Sequence, residues 1–211
     1  METILFYGDS NTWGYDPATG GRYPYNQRWT TICAEKLGPG FLCIPSGMNG
    51  RTTAFDDPVK GSRNGLQGLD YALQTNKPIN LLVIMLGTND LKYTDAQGSA
   101  RGMERLIERA LTADKRFPGS FPVFQGDPKI LLVSPVLVTG TVNDCLACDE
   151  KAESEKLSSL YQKIAQQNGL NFMDAAKITQ PSEADGVHLG IVGHLEIGYA
   201  MARNVLEILA L

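Results

Sequence analysis

Apolar residues gather into five short runs along the chain, at Thr3–Tyr7, Phe41–Pro45, Leu81–Leu86, Ile130–Ser134 and Leu170–Met173. Runs this short and this uniformly apolar suit strands buried on both faces. The stretches between them are long enough for helices. In one of them Met103, Leu106, Ile107, Ala110 and Leu111 recur at three-and-four spacing before Phe117-Pro118-Gly119 breaks the pattern, which predicts one face of an amphipathic helix. The same reading places helices over Trp29–Leu37, Leu66–Leu73, Ala152–Gln167, with Asn168-Gly169 as a stop, and Ile191–Leu209. Strand and helix alternate throughout, so the expected class is α/β: a three-layer α/β/α arrangement with a five-stranded parallel sheet between two helical layers.

Nothing in the bulk composition complicates this picture. With 211 residues, 43% of them hydrophobic, and no linker, repeat or low-complexity tract, residues 1–211 are expected to form a single domain. Nineteen basic and 23 acidic residues are spread along the chain for a net charge of −4, which argues against nucleic-acid and anionic-membrane partners. Met1–Tyr7 runs directly into a strand pattern without the features of a signal peptide, so a cytoplasmic location is expected. Cys33 and Cys43 flank apolar segments and read as core. Cys145 and Cys148 form a lone CxxC with no second pair or nearby histidine to complete a zinc set.

In parallel α/β sheets ligands bind beyond the carboxyl ends of the strands, so the loops that follow the strands are where chemistry is sought. After the first strand, Gly8-Asp9-Ser10-Asn11 offers a sharp turn and a hydroxyl, although Asp and Ser also cap helices. Ser46 to Thr53 follows the second strand with Gly47 and Gly50, whose backbone N–H groups could approach a ligand. Gly87-Thr88-Asn89-Asp90 follows the third and brings a side-chain amide, with Asp90 read as a cap. Asp185-Gly186-Val187-His188 precedes the last helix, and a carboxylate three residues before an imidazole can reach its Nδ1 across a tight turn. Of the two histidines, only His188 has such an upstream Asp; His194 falls inside the last helix and reads as structural.

Gly8-Asp9-Ser10, Gly50, Gly87-Thr88-Asn89-Asp90 and Asp185-Gly186-Val187-His188, taken in this order, resemble the four blocks of the SGNH (GDSL-like) hydrolase superfamily. Arg28-Trp29, Arg51-Thr52-Thr53 and Ile84 to Asp90 are further similar to its arylesterase and acyltransferase branch. Two positions depart from the pattern: Asn11 stands where GDSL proteins have leucine, and Gly50 where some relatives use alanine.

The resemblance implies a serine esterase for small aryl or acetyl esters, with acyl transfer to alcohols as a further activity. Ser10 would be the nucleophile, His188 the base and Asp185 its orienting acid. The oxyanion would meet the backbone N–H groups of Ser10 and Gly50 and the amide of Asn89, with no metal or organic cofactor. Trp13 and Trp29, from the aromatic group around the first loop, and Arg51 are the candidate substrate contacts. The long segment Val138 to Ala152 suits a lid or contact surface, and the resemblance implies a homo-oligomer. Two other readings stand beside this one: a carbohydrate O-acetylesterase built on the same blocks, and a flavodoxin-like binding module in which these residues are only turns and caps.

Overall fold

The computed structural model describes residues 1–119, 121–140 and 149–210. In chain order the elements are β1 (Glu2–Gly8), α1 (Ser10–Trp13), α2 (Trp29–Leu37), β2 (Phe41–Gly47), α3 (Gly65–Asn76), β3 (Leu81–Met85), α4 (Ala96–Leu111), α5 (Ala113–Arg116), β4 (Ile130–Ser134), α6 (Glu150–Asn168), β5 (Asn171–Asp174) and α7 (Ile191–Leu209). Strand pairing is parallel throughout, in the order β2-β1-β3-β4-β5. This is the predicted sheet.

Side chains alternate across the strands and so build a core on each face. Leu5, Tyr7, Leu82, Ile84, Ile130 and Leu132 meet Leu69 and Leu73 of α3, Met103, Leu106 and Ile107 of α4, and Leu157, Tyr161 and Ile164 of α6. On the other face Ile4, Phe6, Leu81, Val83, Leu131 and Val133 meet Trp29 and Cys33 of α2 and Ile197, Met201 and Val205 of α7. Cys33 is buried and Cys43 half-buried, both free thiols. Cys145 and Cys148 lie outside the described residues, as does most of the segment expected to form a lid. No helix among the described residues is long and apolar enough to cross a membrane.

His194 is part of this second core, as its place in the last helix suggested. It is fully buried in α7, its Nδ1 accepts the Trp29 backbone N–H at 3.2 Å, and the Tyr23 ring meets it edge-on at 5.0 Å. Burial, assisted by the charges of Arg28 and His188, pushes its pKa down to about 4. The unfolded chain therefore binds a proton that the folded chain refuses between pH 6.5 and about 4, and stability falls with pH across that window. His194→Asn keeps an acceptor for Trp29 but cannot titrate. Urea unfolding from pH 8 to 4.5 is expected to show wild type losing up to about 3 kcal/mol that the variant does not lose. Parallel pH curves would contradict the assignment.

Candidate active site

The strand order reverses between β1 and β3, the point above whose carboxyl ends ligands bind in open parallel sheets. Ser10 follows β1 and Asn89 follows β3, so adjacent strands deliver the hydroxyl and the amide to the two sides of that point.

Asp9 is the N-cap of α1: its Oδ1 accepts the Asn11 N–H at 3.0 Å. Capping therefore falls to Asp9, and the Ser10 side chain serves elsewhere. Ser10 is only 7% exposed, and its Oγ lies 2.9 Å from His188 Nε2.

The turn holding His188 is built by its own carboxylate. Asp185 Oδ1 accepts the backbone N–H of Val187 and of His188, both at 2.9 Å, while Oδ2 is 2.6 Å from His188 Nδ1. The turn needs glycine at 186, where φ is +69° and a Cβ would stand 2.1 Å from the Gly140 nitrogen of the segment after β4. Burial alone would raise the Asp185 pKa, but the hydrogen bonds from His188 and Val187 outweigh it and hold the carboxyl below its usual range. An ionised Asp185 assigns the proton to Nδ1 and leaves the Nε2 lone pair facing the Ser10 hydroxyl. Tyr15 lies beside the imidazole, ring centroids 4.3 Å apart.

Asn89 sits in the 3-10 segment Thr88–Lys92. Its Nδ2 donates to the Arg51 carbonyl at 3.2 Å and comes within 3.5 Å of Asp9 Oδ2, and its Oδ1 accepts from Lys92 Nζ at 3.0 Å. An ammonium can only donate, so Lys92 settles which end of the amide is Oδ1 and turns the NH2 toward the loops after β1 and β2. Gly50 lies in the turn after β2, with φ +76°.

Three expectations are corrected. Arg51 does not face a substrate: it is 8% exposed, its Nη1 donates to the Gly8 carbonyl at 2.8 Å and to that of Ser46, and its guanidinium lies 4.1 Å from the Tyr7 ring centroid. It ties the ends of β1 and β2 together. Trp29 is core, 1% exposed, packed edge-on to Phe6 at 4.8 Å with Nε1 donating to the Asn11 carbonyl at 3.0 Å. Trp13 is half-buried at the end of α1 under the Arg22 guanidinium, 4.5 Å from its ring centroid. Asp90 is more than a cap. Its carboxylate is fully buried, accepts the Thr53 N–H at 3.0 Å and the Thr53 hydroxyl, and so fastens the loop after β2 to the loop after β3. Burial, only partly offset by the Thr53 bonds, raises its pKa to about 7.

Two contacts went unread in the sequence. Lys92 stands three residues after Asn89, a spacing that could have signalled it. Asn11, marked only as a departure from leucine, accepts the Leu189 N–H at 2.8 Å with its Oδ1 and is 4% exposed. It therefore joins the residue after Ser10 to the residue after His188.

Residues 6–195 match the model of the GDSL-like lipase/acylhydrolase family. Among solved structures, a carbohydrate acetylesterase from Sinorhizobium meliloti is 32% identical with a TM-score of 0.91, the match covering 99% of this chain and 100% of that one. The aryl esterase of M. smegmatis is 30% identical with a TM-score of 0.90, again over 99% of this chain and 100% of that one. A carbohydrate acetylesterase family member from S. meliloti is 34% identical with a TM-score of 0.91 over the whole of both chains. Among curated proteins no sequence matches.

Proposed function

We propose, because this chain belongs to the GDSL-like lipase/acylhydrolase family and is a carboxylic ester hydrolase, that Ser10 is its nucleophile and that His188 and Asp185 activate it. The observation that carries this reading is the unbroken series of contacts from Asp185 Oδ2 through the imidazole to Ser10 Oγ, at 2.6 and 2.9 Å. It sets aside the binding-module alternative.

In this mechanism His188 Nε2 takes the Ser10 proton as Oγ attacks the ester carbonyl, and Asp185 stabilises the imidazolium that forms. Negative charge on the former carbonyl oxygen meets the N–H groups of Ser10 and Gly50 and the Asn89 NH2, donors held in place before reaction begins. His188 then protonates the departing alcohol or phenol, and finally deprotonates the water that releases the acid from Ser10. Incubation with a fluorophosphonate followed by peptide mass mapping tests the assignment. The adduct is expected on Ser10, and an unlabelled protein would overturn it.

Small aryl and acetyl esters are the proposed substrates. Support comes from the similar aryl esterase structure and from the half-buried Tyr15 beside the His188 imidazole. A carbohydrate O-acetylesterase is the second reading, favoured by equally similar structures of carbohydrate acetylesterases. Activity on aryl acetates set against acetylated xylan separates the two. Acyl transfer uses the same acyl-Ser10 with an alcohol in place of water. Rising amounts of a primary alcohol with vinyl acetate are expected to yield new ester; acetate alone at every concentration removes transfer from the reading. Sedimentation of the purified chain tests the expected homo-oligomer.

Asn11 acts in this scheme as a positioning residue for the Ser10–His188 distance. Asn11→Leu removes the acceptor of a buried backbone N–H, a loss of about 1–3 kcal/mol, and is expected to lower kcat about tenfold with little change in KM. Steady-state kinetics on an aryl acetate check this. An unchanged kcat would make the contact purely structural.

A further inference from the structure

Between β2 and α3 the chain makes a long excursion that returns to its own start. Thr52 N–H donates to the Arg63 carbonyl at 3.0 Å, Gly65 N–H donates back to the Thr52 carbonyl at 3.1 Å, and Asn64 caps α3 through Leu66 N–H at 3.0 Å. The Arg63 backbone is thus fixed two residues from the Gly50-Arg51 turn. Ser62, immediately before it, is held at φ +64°, a conformation that costs a non-glycine residue of order 1 kcal/mol and that persists only where its surroundings enforce it.

The Arg63 side chain lies on Gly50. A Cβ at position 50 would stand 2.5 Å from Arg63 Nη1 and 3.3 Å from Cζ, so the guanidinium occupies the space that an alanine there would fill. Among the described residues this guanidinium makes no hydrogen bond or ion pair. Lys92 and Asp57 are the charges it acts on, and it forms no ion pair with the Asp57 carboxylate. After its own burial, Lys60 and Arg63 disfavour the charge on Lys92, while the Asp57 carboxylate, which feels the Arg63 charge, is engaged chiefly by the backbone N–H groups of Lys60 and Val59 at 2.8 and 2.9 Å. Burial in addition raises the pKa of Asp9 and Asp90, the carboxyls that contact Asn89 and Thr53, away from the charged form. A half-buried guanidinium with unspent donors, placed against Gly50, is a carboxylate receptor by its fork geometry.

We propose that Arg63, admitted by the missing side chain of Gly50, is a specificity residue that binds a carboxylate carried by the ester substrate close to its reacting carbonyl. This rests on the reading of Ser10 as nucleophile and Gly50 as oxyanion donor, and narrows its substrates to anionic esters. The carboxylate can belong to the acyl part, as in the monoester of a dicarboxylic acid, or to the alcohol part, as in an acetylated hydroxy acid; the recognition chemistry is the same.

Two matched pairs test it: the para-nitrophenyl monoester of glutaric acid against para-nitrophenyl butyrate, and para-acetoxybenzoate against its methyl ester. The readout is the ratio of kcat/KM for the anionic to the neutral member, each corrected for its rate in buffer. In at least one pair Arg63→Gln is expected to lower that ratio about tenfold, as loss of a charge-assisted hydrogen bond does. Arg63→Lys is expected to retain part of the preference, and added salt to reduce it in wild type. The pair that responds identifies which part of the substrate carries the charge. Ratios equal in wild type and Arg63→Gln for both pairs overturn the proposal while leaving the esterase mechanism intact. Failure to turn over any of the four esters, with no fluorophosphonate adduct at Ser10, overturns both.

Discussion

Ser10→Ala is expected to lower kcat for an aryl acetate by roughly four to six orders of magnitude and to leave the thermal unfolding midpoint nearly unchanged. The size of the effect follows from what the hydroxyl does. Without Oγ no acyl-enzyme forms, and the residual rate is what the oxyanion donors achieve with water. His188→Ala should fall to the same floor, because an unactivated serine hydroxyl is a poor nucleophile. The double variant should be no worse than either single one, since the residues act as a unit. Asp185→Asn should cost less, roughly three to four orders, and for a different reason. The turn loses the anion that fixes the proton on Nδ1, so His188 adopts the wrong tautomer for part of the time. Active-site titration before each assay removes traces of wild type. Multiplicative losses in the double variant would mean that Ser10 and His188 do not share a step, whatever their 2.9 Å contact.

Asn89→Ala is expected to lower kcat by roughly a hundred to a thousandfold with a much smaller change in KM. A ground-state ester carbonyl asks little of a hydrogen-bond donor, whereas the tetrahedral oxyanion asks a great deal, so the loss falls on the chemical step. Lys92 sharpens the test. It holds Asn89 Oδ1 at 3.0 Å, so Lys92→Met leaves the amide free to rotate and should reproduce a fraction of the Asn89 effect, again in kcat. A change confined to KM in either variant would make Asn89 a substrate-binding group and not a transition-state one.

The sheet was legible in the sequence because strands buried on both faces leave an unbroken apolar signature: β4 has the predicted bounds, and α2 and α7 do too. α4 was harder. Its first turns are buried through Ala96, Gly98, Ser99 and Ala100, small residues that carry little hydrophobic signal, so the periodicity became visible only at Met103. α1 and α5, four residues each, are too short for any period to register. The loops that carry Ser10, Gly50, Asn89, Asp185 and His188 were legible because each follows a strand or precedes the last helix. Trp29 and Arg51 were misread because neighbours in sequence of a reactive residue need not share its direction; one points into the core and the other under the loops. Asp90 was misread because its partner, Thr53, lies 37 residues away, and local reasoning sees only the turn.

In the proposed mechanism nucleophile and base are 178 residues apart in the chain, and much of the sequence between them is the scaffold that brings the two together. On the proposed mechanism, Ser10 is an ordinary alcohol while the protein is being synthesised, inert toward the esters around it until the turn carrying Asp185 and His188 has docked. A cut anywhere between Ser10 and Asp185 puts the hydroxyl on one fragment and the complete histidine–aspartate turn on the other. Residues 125–127, exposed ahead of β4, are a natural place to make that cut. Two separately silent polypeptides that recover hydrolysis only on pairing would turn this enzyme into a coloured reporter of whatever proteins they are fused to.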